Sequence, residues 1–179
     1  MGGVARSSRG NYALGDIIRS VVVLAGVLAV GALLFNLVND AEPHLPEPVD
    51  YAAALDAARA EYDYPVLAPE PLPDGWRATS VEFDQGQGGD RWRLGFLTAE
   101  EQYVGLHQSD GEIESFQDER LGEFTPDGES NVAGQTWQRW VEQDDAPDHA
   151  LSRVDEGAVT IVIGTMSYAS LEDFVASLR

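Results

Sequence analysis

The stretch Gly134–Gly164, GQTWQRWVEQDDAPDHALSRVDEGAVTIVIG, decides the fold. Gly134–Glu142 alternates Trp137, Arg139 and Val141 against Gln138 and Trp140, the period of a strand with two unlike faces. The polar turn Asp144–Asp148 leads into Ala150–Val154, and Asp155-Glu156-Gly157 turns that segment into Ala158–Gly164. Connections this short join only antiparallel strands, because a parallel crossover needs a dozen or more residues.

Upstream the pattern repeats. Trp76–Asp84 ends with Val81 and Phe83 on one face. Gln85–Asp90 reads as a loop, Arg91–Thr98 puts Trp92, Leu94 and Phe96 on one side, and Gln102–Gln108 follows the turn at Ala99-Glu100-Glu101. Between Ser109 and Asn131 the chain is polar, with a short helix expected over Glu112–Leu121. Downstream, Leu171, Phe174, Val175 and Leu178 fall at i, i+3, i+4 and i+7, one apolar stripe of a helix capped by Ser170. A second helix is expected from the N-cap Asp50 through Ala60, fading near Tyr64-Pro65, after which the four prolines of Pro65–Pro73 suggest a surface turn. The predicted fold is α+β: an antiparallel sheet of about six strands and two or three helices.

Ahead of this domain, residues 17–38 form a 22-residue stretch whose one charged residue is Arg19, apolar or Gly at every position from Val21 to Phe35. At about 1.5 Å per residue a helix of that length crosses a hydrocarbon core of about 30 Å. Arg19 lies near enough to its end to reach the interface. The exit Leu37-Val38-Asn39-Asp40-Ala41 lacks the small residues of a signal-peptidase site, which favours an uncleaved anchor over a cleaved leader. Arg6, Arg9 and Arg19 precede the stretch and the next Arg is Arg59, so the positive-inside rule keeps the N-terminus in the cytoplasm and the C-terminal domain outside. The expected organisation is a cytoplasmic tail at 1–16, a transmembrane helix at 17–38, a Pro-rich acidic linker at 39–49 and an extracytoplasmic domain at 50–179. The expected location is the cell membrane, single-pass. Gly26 and Gly31 are five apart, which is not the spacing of a Gly-x-x-x-Gly helix dimer.

Composition narrows the function. The 179 residues carry 31 acidic side chains against 11 basic ones, all Arg, and no Cys. Disulfides, Cys-ligated zinc, iron–sulfur clusters, a thiol nucleophile and a lipidated N-terminal Cys are therefore excluded. From residue 40 onward eight Arg stand against 30 acids, a net −22 that repels nucleic acid. No nucleic-acid partner is expected. Some 16 residues before the span are too few to fold as a cytoplasmic signalling domain.

No chemistry-bearing constellation emerges. His44, His107 and His149 have no zinc-ligand spacing, and Asp144/Asp145/Asp148 and Asp110/Glu112/Glu114 do not follow a calcium loop. Gly86-Gln87-Gly88-Gly89 precedes a strand and lacks Lys, unlike a phosphate loop. No metal, cofactor or catalytic residue is expected. The candidate ligand-binding residues are Trp76, Trp92, Trp137 and Trp140. Trp137 and Trp140, three apart, point to opposite sheet faces. One is expected beneath the C-terminal helix and the other on an open face that binds a hydrophobic or amphipathic ligand, neutral or cationic. The rival is that the Asp50–Ala60 helix covers that face.

Several motifs together resemble a known family. They are Pro71-Leu72-Pro73-Asp74-Gly75-Trp76-Arg77, Trp92-Arg93-Leu94-Gly95-Phe96-Leu97, Tyr103-Val104-Gly105-Leu106-His107-Gln108-Ser109, Val132-Ala133-Gly134-Gln135-Thr136-Trp137 and the closing Val159–Leu178. In this order, behind an Arg-flanked anchor, they resemble the actinobacterial single-pass proteins grouped as domain of unknown function 4245. The resemblance implies the anchored topology and no reaction. At fold level the Leu-Pro-x-Gly-Trp start and the strand–turn–helix end also resemble extracytoplasmic domains of bacterial anti-sigma and envelope sensor proteins. The expected function is a non-enzymatic binding or interaction module of the cell envelope, contacting a protein, lipid or wall component. The alternatives are an envelope hydrolase using Asp/Glu chemistry and a scaffold acting through the span. An enzyme should show a cleft with converging carboxylates, and a binding module an apolar groove or face.

Overall fold

The computed structural model describes residues 47–179 apart from Gln87. The predicted tail, span and most of the linker lie outside the described residues. Among the described residues no helix is long and apolar enough to cross a membrane.

Helix α1 (Ala52–Glu61) leads into strands β1 (Arg77–Gly86), β2 (Gly89–Leu97) and β3 (Tyr103–Ser109). Helix α2 (Ile113–Leu121) then carries the chain to β4 (Phe124–Val132), β5 (Gln135–Glu142), β6 (His149–Asp155) and β7 (Ala158–Gly164), and α3 (Tyr168–Ala176) closes the domain. The strands form one antiparallel sheet in the order β1-β2-β3-β7-β6-β5-β4. Two meanders thus join along β3 and β7. The fold is α+β with seven strands and three helices.

Strand alternation sorts side chains onto two faces. Leu94, Phe96, Val104, Leu106, Leu151 and Val162 point to the first face and are inaccessible to solvent. There they pack with Leu55 and Ala58 of α1 and with Leu171, Phe174 and Val175 of α3. The stripe at Leu171, Phe174, Val175 and Leu178 is buried, as its spacing predicts. The helix cap is Ser167, whose Oγ accepts the Ser170 N–H at 3.4 Å; Ser170 itself lies inside the first turn. At α1 the N-cap is Tyr51 and not the expected Asp50, although Asp50 Oδ1 accepts the Ala52 N–H at 3.0 Å.

Three expectations need correction. The polar stretch before Asn131 contains a whole strand, β4, which sits at the sheet edge with most of its side chains exposed and so carries almost no apolar signal. The expected Gln85–Asp90 loop is largely strand, since Gln85 pairs with Asp90 and Gly86 with Gly89. The Pro65–Pro73 run is less of a surface turn than its prolines suggest. Tyr62, Tyr64, Val66 and Ala68 are buried in alternation, making a strap across the first face. Two indoor hydrogen bonds fix it: Trp92 Nε1 donates to the Leu67 carbonyl at 2.9 Å, and Gln108 Oε1 accepts the Leu67 N–H at 2.7 Å. The strap ends by pairing Ala68 with Arg179 through reciprocal backbone bonds.

The second face is covered by α2. Phe116 and Leu121 bury against Ala150, Val159 and Ile161, with Phe124, Trp140 and Ile163 at the margin. Neither α1 nor open solvent occupies this place; the crossover from β3 to β4 does.

Candidate functional site

The four tryptophans do not converge. Trp92 and Trp137 are each 1% exposed in the main core. Trp140 lies on the second face, half-buried beside the α2 cluster, with its Nε1 donating to Ser152 Oγ at 2.8 Å. Trp137 and Trp140 do face opposite sides of β5, as their spacing predicts. Trp76 borders the large apolar hollow among the described residues, and Trp92 touches a smaller polar one.

That hollow is a groove of about 630 Å³ between the start of α1, the strap and the start of β1. The sequence builds it locally. Pro73-Asp74-Gly75-Trp76 closes a turn in which Trp76 N–H donates to the Pro73 carbonyl at 3.1 Å. Gly75 sits at φ +80°, where the third position of a type II turn requires glycine, and a Cβ there would lie 2.9 Å from that of Ala99. The turn delivers Trp76 onto Phe174 of α3, rings nearly parallel with centroids 5.4 Å apart. Tyr51, Leu55, Pro69, Leu72 and Ala78 complete an apolar lining. Tyr51 is anchored by its hydroxyl, which donates to the Pro69 carbonyl at 3.1 Å, and burial raises its pKa.

Three charged residues border the groove: Asp50, Glu70 and Arg77. Both acids are engaged. Asp50 accepts the α1 N–H already described. Glu70 pairs with Arg59 at 2.8 Å, a bond that holds its carboxyl below the usual range. Arg77 forms no ion pair among the described residues, and its buried Nε and Nη2 have no acceptor there. Asp50 and Arg77 are thus the groove's two charges without an ion-pair partner among the described residues, of opposite sign, in a domain that as a whole is strongly negative.

A second hollow, of about 130 Å³, lies on the opposite sheet face under the flank of α2 and gathers Arg91, Arg93 and Arg120 around His107. Sequence reading missed it. Alternation places Arg91 and Arg93 on one face of β2, but only the register, in which Arg93 pairs with His107, and the passage of α2 bring Arg120 to them. Among the described residues no group of three His, Asp or Glu is placed to hold a metal ion.

Fold and groove together describe a small antiparallel α+β domain with an apolar hollow beside its first helix. The chain belongs to the family described as protein of unknown function DUF4245, whose pattern matches residues 9–178. No curated protein matches it. Among solved structures, the solution structure of cyanobacterial PsbP (CyanoP) from Synechocystis sp. PCC 6803 is similar, at 15% identity with a TM-score of 0.35, over 60% of this chain and 83% of that one.

Proposed function

We propose that this chain is a non-enzymatic binding module, tethered to the cell membrane by residues 17–38 with its C-terminal domain outside, and that it holds an amphipathic ligand with an apolar chain and an anionic head. One observation carries the reading: an apolar groove of ligand size that has at its wall an arginine without an acid partner. The apolar wall removes a hydrocarbon chain from water, worth about 0.8 kcal/mol per buried CH₂. Arg77 offers donors to a phosphate or carboxylate head. The groove starts at Pro48, ten residues along the chain beyond Val38, the end of the proposed span. A membrane-derived amphiphile is the ligand that such a place favours.

Residues 46–179 form one compact unit with its own core, so a soluble fragment of that span suffices for the test. Dodecyl phosphate should bind it saturably by calorimetry, and dodecyltrimethylammonium should not. Leu72→Glu and Arg77→Gln should each weaken binding by about tenfold or more. Equal binding of the cationic amphiphile, or no effect of either substitution, would contradict the reading.

A further inference from the structure

We infer that the recess under α2 is a binding site for a phosphoryl group, separate from the groove and on the other side of the sheet. The residues come from three elements. Arg91 and Arg93 project from the same face of β2, His107 lies directly across from Arg93 on β3, and Arg120 comes down from the last turn of α2. Phe116 sets the guanidinium positions: Arg91 and Arg120 stand over its ring, 5.5 and 5.8 Å from the centroid. Three of the eight arginines that stand against 30 acids from residue 40 onward thus meet at one small hollow.

The cations share the recess with carboxylates, Glu82 and Asp84 on its wall and Glu119 at its rim, yet not every guanidinium donor is taken. Glu82 takes Nη2 of Arg93 at 3.2 Å, and Glu119 takes Nη2 of Arg91 and of Arg120, both at 3.1 Å. The buried Nε of Arg120 keeps no acceptor. Burial and the nearby Arg93 lower the Arg120 pKa. His107 is 8% exposed, and its ring hydrogen-bonds to no described residue. Burial, Arg120 and Arg93 push its pKa down to about 3, so it stays neutral and has an N–H to donate. Guanidiniums crowded around a neutral imidazole are relieved by an anion placed among them.

The two glutamates decide which anion. They are exposed, and exposed ion pairs are weak enough to open. They are also carboxylates tethered at high effective concentration, so a free monocarboxylate gains nothing by replacing them. An oxyanion with more charge and more acceptor oxygens does gain. The recess admits a group of phosphate size and leaves a larger remainder outside. Phosphate, a soluble phosphomonoester and a phospholipid head share this chemistry.

The full-length chain in neutral detergent micelles, titrated with inorganic phosphate at constant ionic strength, tests the assignment. Melting temperature should rise saturably, the His107 ring resonance should move with it, and acetate or chloride should do neither. Arg120→Gln should weaken binding by about tenfold. Arg120→Lys, which keeps charge and fold but loses the planar fork, should also weaken it. Glu119→Gln, which removes the resident competitor, should tighten it several-fold. Glycerol phosphate and vesicles containing phosphatidic acid distinguish a soluble ligand from a membrane head, since the site's source is the arm that binds more tightly. A phosphate response no larger than that of chloride overturns the inference, as does one unchanged in both Arg120 variants.

Discussion

Glu172 of α3 accepts from Ser130 Oγ and from Arg139 Nη2, both at 2.6 Å, and these two bonds hold its carboxyl below the ordinary value of 4.5. A depressed carboxylate contributes stability above the unfolded pKa and loses it as pH falls through the folded one. Melting temperature should therefore fall as pH drops below about 4.5, and Glu172→Gln should flatten that limb. His107 acts in a different window. Its folded pKa of about 3 lies below the ordinary 6.5, so the unfolded chain takes the proton first and stability declines as pH drops from 6.5 towards 3. His107→Asn should remove the pH dependence between about 4 and 6.5 while leaving the Glu172 limb. A wild-type melting temperature flat from pH 7 to 5 would contradict the burial of a neutral His107. At this scale the sequence displays residue types and little else. Arg91 and Arg93 are legible as neighbours on a face, whereas the unpaired state of Arg77 depends on where every acid of the domain goes.

Among the elements, α3 and the strap carry the main core. Phe174 is 2% exposed, stacks on Trp76 and meets the edge of Phe96 at 5.6 Å. Phe174→Ala should cost about 3–5 kcal/mol in urea unfolding of the 46–179 fragment, and should also loosen the wall of the groove. Trp137→Ala should cost a similar amount, but Trp140→Ala, at a half-buried site, clearly less. Equal losses for the two would mean that α2 buries its face as deeply as α3 buries the other. Elements with a strong period were readable: α3 by its stripe, β2 by Trp92, Leu94 and Phe96, and β5–β7 by alternation and short turns. β4 was not, because an edge strand with Pro126 and Gly128 and little burial has no reason to alternate. The strap was hidden by its prolines. Pro65 lacks an N–H, but a strap that pairs through Leu67 and Ala68 does not need one there.

For the described domain as a whole, two sheet faces bear two different hollows, and each holds arginine donors without an acceptor among the described residues. The topology of the described domain follows from that of its strands, since two meanders joined at β3 and β7 require one crossover, and α2 supplies it over the second face. No reading of periods could assign that crossover to a face in advance. This is why the open sheet face expected around one of Trp137 and Trp140 is instead a partly covered one, at Trp140, and why the larger apolar hollow lies at Trp76. The proposed orientation has its own check: protease added to intact, wall-stripped cells should digest the domain beyond Asp40 without lysis. Protection of that domain until lysis would reverse the topology. The most direct test of the central claim places a photo-crosslinking amino acid at Leu72, in the groove wall, within the full-length chain in living cells, with Val154 as the exposed control. Mass spectrometry of the peptide spanning Pro71–Trp76 should then show an amphiphile adduct, weakened by Arg77→Gln and absent at position 154. Adducts equal at the two positions, or none at Leu72, would contradict the account.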